Sequence, residues 1–134
     1  MSFLLISYPT LSQHDVDWIQ SVRERHDPHF GIIRPHFTLV FQQSRLGLDE
    51  FSDYIRRQTE GMTRIEFSLR FATTVQDHVA GSSNVFLFPE EGFDSVVELH
   101  DILYKGQMAS ELRLDLPFVP HITVGGNADA QVCQ

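Results

Sequence analysis

The sequence predicts an α+β fold, bilobal, in which duplicated strand-helix-strand units carry mainly antiparallel sheets around a central cleft. Three observations predict it. Apolar residues switch between a period of two and a helical period along 134 residues, with no linker or break in composition. The order strand, proline, helix, Pro-His, strand occurs twice, so the halves, about 1–62 and 63–134, read as two copies of one unit. A hydrophobic content of 42% with 21% charged residues suits one buried core and excludes disordered and collagen-like chains.

Phe3 to Tyr8 is an apolar run ended by Pro9, a buried strand. A helix follows from Ser12 to His26. Ser12 is its N-cap, Asp15 the capping-box partner, and Leu11 a staple against Val16. Val16, Trp18, Ile19 and Val22 form its apolar face, and Asp27-Pro28 closes it. Ile32 to Phe41 is the second strand, entered through Pro35. Leu48, Phe51 and Ile55 mark a second helix that runs out at Gly61.

In the other half, Ile65, Phe67, Leu69 and Phe71 alternate with polar residues, which predicts a half-exposed strand over Arg64–Thr74. Asp77 to Ser83 is a polar loop, and Asn84 to Phe88 a strand ended by Pro89. Phe93, Val96, Val97, His100 and Leu103 make a helical stripe that Gly106 terminates. Leu116 to Val124 is the last strand, entered through Pro120.

The charge pattern narrows the partners. Ten Lys and Arg stand against 18 Asp and Glu, a formal charge of −8. Gripping a long polyanion needs clustered cations, and Arg56-Arg57 is the only basic pair. A small nucleotide or RNA end is therefore expected rather than a long nucleic-acid tract. The run Phe3–Ile6 is too short for a membrane helix, and the single cysteine, Cys133, has no internal partner. A soluble cytoplasmic domain is expected.

The chemistry sits in a repeated signature, Pro35-His36-Phe37-Thr38 and Pro120-His121-Ile122-Thr123. With six prolines and seven histidines in the chain, two chance copies have odds on the order of 10⁻⁴. Strand parity puts His36 and Thr38 on one face, with Phe37, Leu39 and Phe41 on the other. His121 and Thr123 likewise oppose Ile122 and Val124. Two imidazoles and two hydroxyls around one cleft suit phosphodiester cleavage. A neutral ring accepts the nucleophile's proton, an imidazolium protonates the leaving oxygen, and the hydroxyls bind the phosphoryl oxygens. No cofactor or metal is needed.

These paired H-x-T motifs resemble those of the two-histidine phosphoesterase superfamily, which includes 2′-5′ RNA ligase-like proteins and cyclic phosphodiesterases. The resemblance covers nearly the whole chain. It implies metal-free cleavage of 2′,3′-cyclic phosphates or 2′-5′ phosphodiesters, with His36 and His121 as acid/base pair and Thr38 and Thr123 as phosphate ligands. A non-catalytic nucleotide or RNA-end binding protein and a 2′-5′ RNA ligase stay open as alternatives. Two departures stand out. Gly125-Gly126 occupy positions where relatives often carry a basic or polar residue. The chain also ends soon after Thr123, where relatives usually add a helix and a strand, so it reads as either minimal or truncated.

Arg34 shares the parity of His36 and Thr38 and is a further candidate phosphate ligand, although an exposed arginine needs no function. Tyr8 and Phe88 end equivalent strands and are candidates to stack on a base or to fill the core. His100 reads as a core histidine, while His14, His26, His29 and His78 read as helix-surface or loop residues. His26-Asp27-Pro28-His29 lacks the thiolates and spacing of a zinc site.

Overall fold

The computed structural model describes residues 1–77 and 81–127. His78 and Cys133 lie outside them, as does part of the loop predicted over Asp77–Ser83. The elements in chain order are β1 (Phe3–Ser7), α1 (Gln13–His26), β2 (Phe37–Gln43), α2 (Leu48–Gln58), β3 (Leu69–Asp77), β4 (Ser82–Pro89), α3 (Phe93–Leu103), a 3₁₀ turn (Gly106–Glu111) and β5 (Ile122–Asn127). The fold is α+β with antiparallel sheets: β1 pairs with β2, and β3-β4-β5 form a three-stranded sheet. Among the described residues no helix is long and apolar enough to cross a membrane.

Local chemistry explains the helix ends. The Ser12 hydroxyl accepts the Asp15 N–H at 3.2 Å, which satisfies one of the free donors of the first turn of α1. Gly92 enters α3 with φ 84°, a left-handed conformation that an L side chain rarely adopts. Gly106, φ 65°, follows α3 in the same region.

Three predicted faces differ from those observed. Trp18 is 53% exposed, and Arg23 instead fills the buried face of α1 beside Ile19. Leu48 is exposed, while Tyr54 turns inward and its hydroxyl donates to the carbonyls of Leu103 and Lys105. Phe71 is 50% exposed because the ladder slips between Leu69 and Phe71, which reverses the face of the strand.

The strand starts move too. β2 begins at Phe37 rather than Ile32, and β5 at Ile122 rather than Leu116, each two residues after its proline. Proline has no N–H for a ladder and restricts the residue before it, so pairing cannot extend upstream. β3 begins at Leu69 rather than Arg64, although Ser68 exchanges backbone hydrogen bonds with Glu90 and Glu91.

The core is one cluster shared by both halves. It joins Ile19, Phe37, Leu39, Phe51 and Tyr54 to Leu87, Val96, Leu103, Ile122 and Val124. Helices and strands are exchanged across it: α1 packs on β5, and α3 packs on β2. The motif strands therefore lie under helices from the other half of the chain.

Candidate active site

Each motif is built the same way at the start of its strand. His36 directs Nδ1 at the carbonyl of Arg34, and His121 directs Nδ1 at the carbonyl of Val119, both at 2.8 Å. A carbonyl only accepts, so Nδ1 carries the hydrogen in both rings. In the neutral ring Nε2 then keeps its lone pair free for a ligand proton. The hydrogen bond runs two residues back, across Pro35 in one motif and Pro120 in the other.

The registers also correspond. Ser7 pairs with Phe37 and Ile6 with Thr38; Leu87 pairs with Ile122 and Phe86 with Thr123. In each ladder the next residue is skipped, because Leu5 pairs with Val40 and Val85 with Gly125. Leu39 and Val124 are thus bulged at the same place, one residue past the threonine. Before the bulge the expected alternation is present: His36, Thr38, His121 and Thr123 are half-buried, while Phe37 and Ile122 are buried. After it the parity fails in β2, where Val40 is buried and Phe41 exposed. The Phe41 N–H donates to the Tyr104 hydroxyl at 3.0 Å.

The surroundings of the two rings differ in character. Tyr8 stands edge-on to His36 with centroids 6.5 Å apart, and the Arg34 guanidinium lies over the Tyr8 ring at 3.9 Å. At the corresponding positions of the second motif stand Phe88, 6.5 Å from His121, and Val119. Phe86 stacks on His121 at 3.7 Å, and exposed Phe71 stacks on Phe88 at 5.5 Å. One imidazole therefore neighbours a tyrosine capped by a guanidinium, and the other an aromatic wall.

That wall has an electrostatic effect. Burial pushes the His121 pKa below the usual histidine value of 6.5, the bond to Val119 partly opposes this, and the charge of His36 pushes it further down. Burial thus favours the neutral form of the His121 ring.

The other predicted residues take ordinary places. His100 is buried, its ring stacked on Phe118 at 3.9 Å and its Nδ1 3.1 Å from Asp101. Asp27 is engaged by Arg23 and by the His29 N–H. Among the described residues no three His, Cys, Asp or Glu side chains converge as a metal site would require. A cavity of about 860 Å³ lies on the opposite face of β2, against Phe37 and Leu39, and one of about 510 Å³ separates α1 from β3. Neither is lined by a motif histidine.

Sequence reasoning missed Arg23 and Phe86. An Arg23–Asp27 pair at helical i, i+4 spacing was a legible signal for the first. Phe86, two residues before Phe88 on one strand, was legible as a neighbour on the same face.

The profile of the 2′-5′ RNA ligase superfamily matches residues 10–133. Three relatives, each named "Putative phosphoesterase", are similar over most of the chain. That of Bacillus licheniformis is 29% identical over 126 residues, covering 92% of this chain and 70% of its own length. That of Geobacillus thermodenitrificans is 28% identical, covering 93% and 69%. That of Geobacillus kaustophilus is 28% identical, covering 81% and 61%. The matched region thus spans between about three fifths and seven tenths of these relatives.

Proposed function

The chain belongs to the 2′-5′ RNA ligase superfamily, and from that premise we propose that it is a phosphoesterase acting on a 2′,3′-cyclic phosphate or a 2′-5′ phosphodiester in a small nucleotide or RNA end. The observation that carries the reading is the matched anchoring of His36 and His121, each with Nδ1 tied to a carbonyl two residues back. This leaves Nε2 of both rings for proton transfer.

His121 is the general base. Its lowered pKa keeps the ring neutral near pH 7, with Nε2 able to take a proton from water. For a 2′,3′-cyclic phosphate, the water oxygen bonds to phosphorus as one ribose oxygen leaves. The His36 imidazolium gives its Nε2 proton to that oxygen, and the product is a nucleoside 2′- or 3′-monophosphate. The Thr38 and Thr123 hydroxyls donate to the non-bridging oxygens, and the Arg34 guanidinium offsets the phosphate charge. The aromatic wall beside His121 gives a base a face to stack on.

Two assays test this. Nucleoside 2′,3′-cyclic phosphates are incubated with the full chain and the products separated by position of the phosphate. A 2′-5′ linked dinucleotide is followed in parallel. Turnover of either supports the reading. Saturable binding without turnover of either replaces it with a nucleotide-binding role, and net joining of 2′-5′ ends replaces it with a ligase.

A further inference from the structure

The last turn of α1 reaches the segment that leads into the first motif and the strand that carries the second. Arg23, 1% exposed, directs its guanidinium at four acceptors. Nε donates to Asp27 Oδ2 at 2.8 Å and Nη1 to Gln20 Oε1 at 2.8 Å. Nη2 donates to the carbonyl of Ile33 at 2.6 Å and reaches that of His29 at 3.5 Å. The second oxygen of Asp27 accepts the His29 N–H at 2.9 Å. The loop over residues 27–33 is thereby fastened to the helix.

A buried ion pair is weak evidence for stability alone, because desolvation offsets much of the attraction. Its acceptors are more informative. Ile33 directly precedes Arg34, whose carbonyl holds Nδ1–H of His36. The guanidinium, two successive carbonyls and the imidazole form one chain of contacts. On the same turn, His26 lies against Gly125 of β5, where a β-carbon would stand 3.1 Å from the His26 Cβ. Gly125 is four residues beyond His121, so the turn also bears on the second motif strand. Here glycine permits a close helix-strand approach.

We propose that the last turn of α1, anchored by Arg23, is the positioning element that sets His36 relative to His121. Arg23 touches no substrate; it acts through the Ile33 and Arg34 carbonyls on the tautomer and direction of His36. The catalytic consequence rests on the phosphoesterase reading, while the effect on the ring does not.

The test uses the full chain with ¹⁵N-labelled histidine at mildly alkaline pH, where long-range ¹H–¹⁵N spectra report which ring nitrogen carries hydrogen. In the unsubstituted protein His36 and His121 are both Nδ1–H. In Arg23→Met, His36 becomes a mixture of tautomers while His121 is unchanged. With 2′,3′-cyclic nucleotides as substrate, kcat falls about 10- to 100-fold at nearly constant KM, the effect of a slightly misplaced group. Arg23→Lys keeps a cation beside Asp27 but cannot serve Gln20, Asp27 and Ile33 together. It shifts His36 the same way to a smaller extent, and decides alone if Arg23→Met does not fold.

A folded variant whose His36 stays a single Nδ1–H tautomer overturns the proposal. So does a shift of equal size at His100, which would mark general loosening. A His36 shift in a protein whose unsubstituted form turns over neither a cyclic nucleotide nor a 2′-5′ linked dinucleotide supports the positioning role and overturns the phosphoesterase reading instead.

Discussion

Phe86 lies flat against His121, ring centroids 3.7 Å apart and planes within 18°. It covers one face of the imidazole and keeps water from it, which accords with burial as the main cause of the lowered pKa. Phe86→Ala is expected to raise the His121 pKa toward the ordinary value of 6.5. Because the base must be neutral, the acid limb of the pH–rate profile then moves to higher pH. Titration of the His121 ring protons by NMR measures the shift directly; an unchanged midpoint would show that Phe86 is not its cause.

The same lowering links folding to pH. Below 6.5 an unfolded chain protonates this ring before the folded one does, so unfolding takes up a proton. The stability tied to His121 is whole above 6.5 and declines from there down through the lowered folded value. Denaturant melts of the protein and of His121→Asn should differ in slope against pH across that window and run parallel above it.

Replacing His36 or His121 with alanine should each lower turnover about 10²- to 10⁴-fold, the usual worth of a placed proton-transfer group. The double variant should fall well short of the product of the two losses, because the rings act as a unit. Thr38→Val and Thr123→Val keep shape and remove a donor to a charged oxygen, at about 1–3 kcal/mol of transition-state stabilisation. Turnover per folded molecule that is intact in His121→Ala would sink the mechanism.

In the proposed mechanism both proton transfers come from side chains, so turnover should survive exhaustive chelation with EDTA. Loss that a single divalent ion restores would require a different site.

Gly92→Ala should destabilise the fold by about 1–3 kcal/mol, the cost of holding a non-glycine residue at positive φ. The added carbon would also collide with the carbonyl of Glu66 and stand 2.8 Å from the Phe67 Cβ. Gly31→Ala, which meets nothing within 4 Å, is the control and should be nearly neutral in a thermal melt.

Much of this arrangement was legible in the sequence where the signal is local. Ser12 caps α1 as its chemistry predicts, and Val96, His100 and Leu103 form the buried stripe of α3. The two Pro-His-x-Thr motifs do stand at equivalent strand starts. Register was not legible, because nothing in the composition of β2 or β5 announces that Leu39 and Val124 go unpaired. Those slips misled the parity reading at Phe41, and a similar slip misled it at Phe71. Trp18 faces outward and Arg23 inward because hydropathy does not foresee a guanidinium that makes four hydrogen bonds, to Asp27, Gln20 and the His29 and Ile33 carbonyls.

The exchange of helices between the two halves also has a kinetic meaning. α1 finds its seat only when β5, about a hundred residues later in the chain, has been made and paired with β4. Contacts that distant form slowly, since a long loop must close before they contribute. On a ribosome, the first histidine would emerge early with its supporting helix still unseated. Whatever chemistry the pair performs is therefore switched on at the end of folding, and a half-made chain would carry the first motif without its activity.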